Sequence, residues 1–340
     1  MRIAINHVKG SFSERWIMFC KKNKIPYILV NAYDSNIIEQ LKECDAFMWP
    51  VSHTNYRDML FAKSLLTSID NIGIKVYPNV NTIWHFDDKI AQKYLLESIG
   101  APLVRTYVFY DKDTAISWAK KASFPKVFKL KGGAGAANVM LARTYEEAVK
   151  LINKSFRSGF LQYRWREQLK ENYRQFKNKK VGLKSLIRPI YYGLIKRHAT
   201  EFSHLHGKEI GYSYFQDFIE GNEFDIRICV IGERAFGLKR QTRKNDFRAS
   251  GSGLIVYEKE QIDERCVQIA FEVNQKLKMQ SVAFDFVFSK KNEPLIVEIS
   301  YGFMASAYDA CEGFWTSDLR WHPGKKFDFC GWMVENLIKS

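Results

Sequence analysis

No Cys-x-x-Cys pair occurs among the six cysteines, Cys20, Cys44, Cys229, Cys266, Cys311 and Cys330. Scattered single cysteines argue against a zinc cluster or a disulfide framework, and for a reduced, cytoplasmic protein. No uninterrupted apolar run approaches the about 18 residues that a membrane-spanning helix needs, and the N-terminus enters a strand pattern without a signal-peptide profile. No Gly-Lys-Ser/Thr opens a helix, which removes the P-loop. Gly133-Ala-Gly135-Ala-Ala-Asn138 comes near the dinucleotide fingerprint, but Val139-Met140-Leu141 continues as strand where that motif needs a helix. His198, His204 and His206 have no standard zinc spacing. No Ser/His/Asp or Cys/His grouping suggests a protein nucleophile.

What is present is length, aromatic content and positive charge. The 340 residues are 46% hydrophobic and 15% aromatic, enough for cores in two or three lobes. Lys plus Arg number 52 against 37 acidic residues, a net +15, which suggests an anionic partner. Residues 155–212 concentrate this charge, with 13 Lys/Arg against four Glu. The stretch reads as a helical insertion around Trp165–Phe176 and Ile187–Ile195, either a solvated charged face or a dock for an acidic substrate or a membrane headgroup surface. No RNA-binding motif accompanies the charge, so no nucleic-acid partner is expected.

Residues 1–80 alternate strand and helix. The strands are Arg2–His7, Tyr27–Val30, Asp45–Val51 and Ile74–Pro78; the helices are Ser13–Lys22, Ile37–Lys42 and Tyr56–Ser68. Such alternation predicts a small parallel sheet with helices on both faces. Asp87 or Asp88 can cap the next helix, which Gly100 ends, before a strand at Val104–Tyr110. Lys89 lies in that helix's first turn, where the macrodipole disfavours a cation unless an anion is near. Phe124–Leu141 then gives a short strand carrying Lys129, a glycine-rich turn (Gly132, Gly133, Gly135) and a second strand. Glycine lets backbone approach a ligand, and consecutive turn N–H groups suit phosphate oxygens. A helix at 143–154 precedes the basic stretch. From 213 the pattern is antiparallel: Phe224–Ile231 with Ala235–Arg240, a helix over Glu260–Leu277, and Val282–Phe288 with Leu295–Ser300.

The second hairpin carries the sharpest spacing. A turn centred between Lys291 and Asn292 sets Asp285 directly opposite Glu298, with Ser300 on the same side as Glu298. Opposed carboxylates on strands this apolar repel. Protonation of one, or an arginine, could relieve this. With Lys129 and the glycine turn in the same chain, a divalent cation is the reading adopted. Oxygen donors of this kind suit Mg²⁺ or Mn²⁺.

This order of features resembles the ATP-grasp superfamily over nearly the whole chain: an Asp-Asp-Lys helix start, a lysine before a glycine-rich flap, Gln216-Asp-Phe-Ile-Glu-Gly-Asn-Glu223, and Asp285 with Glu298-Ile-Ser300. The resemblance implies a mixed α/β and α+β chain with four regions. These are an N-terminal parallel α/β lobe (1–85), a small lid lobe with the flap (86–154), the basic helical insertion (155–212) and a C-terminal antiparallel-sheet lobe with the metal site (213–340). It implies that Lys89 and Lys129 contact the phosphates of ATP, and that the flap with Gly132, Gly133 and Gly135 closes over them. Gln216, Asp217, Phe218 and Ile219 would read the adenine and Glu223 the ribose. Arg240 and Arg248 would hold phosphate or acyl oxygens. Asp285, Glu298 and Ser300 would bind magnesium, Ser300 standing where the family usually has Asn. The implied reaction is carboxylate–amine ligation through an acyl phosphate. The aromatics at Tyr301–Met304 and Gly313–Pro323 would shape the acceptor site. The C-terminal stretch resembles members associated with surface-polysaccharide pathways, which implies an acidic or lipid-linked glycan as acceptor. Two alternatives share the nucleotide site: a kinase-like phosphotransferase, and a non-catalytic nucleotide- or glycan-binding protein.

Overall fold

The computed structural model describes residues 1–133, 138–161, 205–243, 247–249, 251 and 253–340, with isolated positions between 169 and 191. The helices expected at Trp165–Phe176 and Ile187–Ile195 fall largely outside the described residues, as do Gly135, His198 and His204. The chain forms two compact units. The larger comprises Met1–Phe86, Ala91–Leu103 and Ile219–Ser340, and the smaller Asp87–Ile90 and Val104–Phe218.

The chain begins with β1 (Ile3–Asn6), α1 (Phe12–Lys22), β2 (Tyr27–Val30), α2 (Ile37–Gln40), β3 (Ala46–Met48), α3 (Tyr56–Asn71) and β4 (Lys75–Tyr77). The four strands make a parallel sheet in the order β2-β1-β3-β4. Ser11 and Asn55 supply the N-terminal caps of α1 and α3 through their side-chain oxygens. The alternation in the sequence therefore gave the right topology, although β3 and α2 are shorter than expected. Then come α4 (Val80–Ile83) and α5 (Lys89–Ser98).

The smaller unit contributes β5 (Thr106–Phe109), α6 (Lys112–Ala119), β6 (Lys126–Lys129), β7 (Met140–Ala142), α7 (Tyr145–Arg157), β8 (Phe160–Leu161), β9 (Lys208–Glu209) and β10 (Ser213–Asp217). Its antiparallel sheet runs β5-β10-β6-β7. One face packs Phe128, Phe215 and Phe160 with Ala115, Ala119, Ala148 and Ile152. β8 and β9 form a separate two-stranded ribbon.

The rest of the larger unit is β11 (Phe224–Ile231), β12 (Arg234–Gln241), β13 (Ile255–Val256), α8 (Glu264–Leu277), β14 (Ser281–Phe288), β15 (Pro294–Ser300), β16 (Gly313–Thr316), β17 (Trp321–Pro323) and α9 (Phe329–Lys339). Their sheet runs β15-β14-β11-β12-β16-β17, with β13 beside β12. The helix expected from Glu260 begins later, because Asp263 caps α8 and leaves Lys259–Gln261 as a 3₁₀ turn. Period-2 alternation splits the sheet's side chains. Ile226, Ile228, Val230, Phe284 and Phe286 face α8 residues Cys266, Val267, Ala270 and Val273. Cys229, Phe236, Leu238 and Ala283 face the core that holds Trp16 of α1 and Met333 of α9. Each large side chain buried this way contributes about 1.5–3 kcal/mol. At Gly331 a Cβ would lie 2.4 Å from the Phe19 ring, so glycine sets how closely α9 approaches α1.

Two expectations change here. Tyr301 and Trp315 are each only 1% exposed and belong to the cores, with the Tyr301 hydroxyl bonded to the Val51 carbonyl. They support the fold rather than line an acceptor site. The β14–β15 turn is centred on Lys291 itself, since Phe288 pairs with Pro294. That count alone would put Val297 opposite Asp285. A register shift between Asp285 and Phe286 makes Val297 the extra residue, and Asp285 pairs with Glu298 after all.

Candidate active site

In the smaller unit the glycine turn is tied to the start of α5. Asp88 caps the helix by accepting the Ile90 N–H at 3.1 Å. Asp87, with φ at +53°, accepts the Gly133 N–H at 2.8 Å. Lys89 is 5% exposed and its ammonium donates to the Gly133 carbonyl at 2.7 Å, while its N–H donates to the Lys131 carbonyl. Lys129, equally buried at the end of β6, donates to Gln216 Oε1 at 2.6 Å. Gln216 in turn donates to the Thr106 hydroxyl at 3.1 Å, and Thr106 to the Val104 carbonyl. Gln216 on β10 thus supplies Lys129 with an acceptor inside the sheet. Asp217 closes β10 and pairs with Lys126 at 2.6 Å. Phe218 follows, half-buried.

The loop's first amides are already engaged. Glu209 of β9, 7% exposed, accepts the Lys131 N–H at 3.0 Å and the Gly132 N–H at 3.3 Å. Tyr212 donates its hydroxyl to Glu209 and also accepts from the Lys131 N–H. The concavity inferred from the glycines exists at this point, and a protein carboxylate fills it.

In the larger unit a row of charged groups runs across four strands on the face that further along carries Cys229, Phe236, Leu238 and Ala283. Arg240 of β12 is opposite Asp225 of β11, Arg227 of β11 is opposite Asp285 of β14, and Asp285 is opposite Glu298 of β15. Arg240 holds both oxygens of Asp225 at 2.7 Å. Arg227 holds both oxygens of Asp285, at 2.5 and 2.6 Å, and Arg240 reaches the same carboxylate at 3.0 Å. The repulsion inferred between Asp285 and Glu298 is thus met by guanidinium groups. Burial pushes the Asp285 carboxyl up, but Arg227 and Arg240 outweigh it and hold the group well below the usual carboxylate range. Burial pushes Asp225 up, with repulsion from Asp285 adding to it, against the downward pull of Arg240 and Arg227.

Asp285, Glu298 and Ser300 give an oxygen-only donor set along this face, as magnesium requires. Asp285 shares its charge with two arginines, and the Ser300 hydroxyl is bonded to both backbone groups of Gly302. Of these donors, Asp285 and Ser300 are therefore already engaged within the chain. Among the described residues there is no cluster of three or more His, Cys, Asp or Glu placed to hold a metal by themselves. Arg248 is half-buried in the segment 247–249, Ile219 is half-buried, and Glu223 is exposed with its carbonyl accepting from Thr242.

Sequence reasoning missed Asp225, Arg227, Lys126, Glu209 and Tyr212. The first two carried a signal: charged residues at alternate positions of an otherwise apolar strand, FDIRICVI, must share one face. Glu209 carried none, since it lies in a charged stretch where one more carboxylate draws no notice.

A family described as the RimK-like ATP-grasp domain matches residues 200–306. The alpha-aminoadipate–LysW ligase LysX of Saccharolobus solfataricus is 24% identical over 247 residues, 72% of each chain. Among solved structures, the D-alanine–D-alanine ligase of Bacillus anthracis superimposes with a TM-score of 0.57 at 13% identity, covering 100% of this chain and 98% of its own. A RimK domain ATP-grasp protein from Sphaerobacter thermophilus gives 0.58 at 13% identity, covering 99% and 100%. Among the described residues no helix is long and apolar enough to cross a membrane. Residues 200–306 thus carry the likeness to the RimK-like domain, and the chain as a whole has the ATP-grasp fold.

Proposed function

We propose that the protein is an ATP-dependent ligase joining a carboxylate to an amine. The observation that carries this reading is the row Arg240, Arg227, Asp285, Glu298 on one sheet face, because it combines cations for a carboxylate or phosphoryl group with an oxygen donor set for magnesium. In this reading Lys89 and Lys129 bind phosphate oxygens under the flap, Gln216–Ile219 contact the adenine, and Glu223 bonds the ribose. Asp285, Glu298 and Ser300 would hold magnesium, which when bound would neutralise phosphate charge. The substrate carboxylate, held by Arg240 and Arg248, attacks the γ-phosphorus of ATP. ADP leaves, and an amine then displaces phosphate from the acyl carbon and loses its proton. Positioning and charge neutralisation account for the rate, and no protein nucleophile is needed.

The named ligases among its relatives act on D-alanine and alpha-aminoadipate, which supports an amino acid as one substrate. A glycan-linked acceptor rests on the basic stretch 155–212 and on the resemblance of the C-terminal stretch, not on the relatives named above. The test is phosphate release from ATP with magnesium, screened over amino acids, uronic acids and amines, in wild type and Glu298→Gln. Release that needs both substrates and falls at least a hundredfold in the variant is expected. A stable phosphate ester on one acceptor, with no free phosphate, would assign a kinase instead.

A further inference from the structure

We propose that Glu209 is the positioning residue of the phosphate-binding loop, holding it from the β8–β9 ribbon; this rests on the nucleotide reading above. Both ends of the loop stand on that ribbon. At the near end each Glu209 oxygen takes one amide, Oε2 from Lys131 and Oε1 from Gly132. At the far end Asn138, buried and with φ at +58°, donates its side-chain amide to the Leu161 carbonyl of β8 at 3.2 Å. The strands bearing these two acceptors are paired, Phe160 with Glu209 and Leu161 with Lys208. The loop's two ends are therefore fixed relative to each other through one small element.

The surroundings of Glu209 are built for this. Gly159 has φ at +65°, and a Cβ there would lie 2.7 Å from the Glu209 carbonyl oxygen, so only glycine lets β9 lie so close. Gly207 and Gly211 bracket the strand in the left-handed region, and the Gly211 N–H is tied to the Ser155 carbonyl of α7 at 3.0 Å. Burial and the Glu209 charge push the Tyr212 phenol up, so its hydroxyl remains a donor to the carboxylate. Two successive amides facing one carboxylate are the arrangement that elsewhere receives a phosphate. Here the anion belongs to the chain. The first amides of the loop are spent on Glu209 and Asp87, and the stretch so held carries the carbonyl that receives Lys89. Glu209 itself touches no substrate.

The experiment is equilibrium binding of MgATP and of adenosine to wild type, Glu209→Gln, Glu209→Asp and Tyr212→Phe, with thermal unfolding of each. Glutamine turns one acceptor into a donor facing an amide. Glu209→Gln is expected to weaken MgATP roughly tenfold, about one lost hydrogen bond, while adenosine affinity and melting stay within error of wild type. Tyr212→Phe should show a smaller loss, and Glu209→Asp should recover part of the affinity. Equal loss of MgATP and adenosine, or a fall in melting temperature that accounts for both, overturns the proposal, as does MgATP affinity within twofold of wild type. If wild type binds no MgATP, the nucleotide reading itself fails and this proposal fails with it.

Discussion

The two units bury charge in different ways. Apart from the Lys126–Asp217 pair, the smaller unit sets charged groups on backbone and neutral side chains: Glu209 on amide N–H groups, Lys89 on a carbonyl, Lys129 on an amide side chain. The larger unit sets charge against charge, with Arg227 and Arg240 on Asp225 and Asp285. The difference matters because losing one partner of a buried ion pair leaves an uncompensated charge, whereas losing a charged group held by neutral ones leaves only unsatisfied dipoles. A site of the first kind tolerates change at its edges, and a site of the second kind does not.

The strongest way to break this contrast is Asp285→Ala, which strands two guanidinium groups at once. A loss of about 3–5 kcal/mol is expected by denaturant unfolding, and a loss below about 1 kcal/mol would place the larger unit in the same class as the smaller. Next is the double change Arg227→Met with Asp285→Leu. Replacing both partners with apolar groups should cost clearly less than Asp285→Ala alone, read in the same unfolding assay. In the smaller unit, Thr106→Val removes the end of the Lys129–Gln216–Thr106 chain and should cost about 1 kcal/mol.

The smallest effect is a pH dependence. Asp285 is held below its unfolded value, so its contribution is complete above the unfolded pKa of about 3.9 and is lost as pH falls toward the folded one. The melting gap between wild type and Asp285→Asn should therefore narrow on going from pH 5 to pH 3, and the gap for Thr106→Val should not. Parallel behaviour of the two variants would erase the distinction.

Most of the fold was legible in the sequence because its periodicities are local. The β11–β12 hairpin follows from alternation around Gly232-Glu233, and β1 to β4 follow from short apolar runs separated by capped helices. The Asp285–Glu298 opposition was also legible, although the counting that found it assumed a turn one half-step away from the real one. What was not legible depends on neighbours far apart in the chain. Arg227 meets Asp285 58 residues away, and Glu209 meets Gly132 77 residues away. Spacing within one hairpin cannot report a third strand. The same limit explains Tyr301 and Trp315, whose aromatic character suits a binding wall and a core equally well until the Val51 carbonyl and the α8 face are seen to enclose them.

The extra residue at Val297 makes the hairpin's chemistry a matter of parity. Ile296 and Ile299 both enter the core under α8, which is possible only because two residues stand between them where alternation allows one. Remove Val297, and Ile296, Glu298 and Ile299 fall into plain alternation on the faces they already hold. The turn from Ser289 to Glu293 is closed by its own bonds, the Ser289 N–H on the Glu293 carbonyl and the Asn292 N–H on the Ser289 carbonyl. Along one short hairpin, then, the residue whose loss turns no neighbour over is the one the partner strand leaves unpaired, whereas losing a paired residue sends those beyond it to the other face.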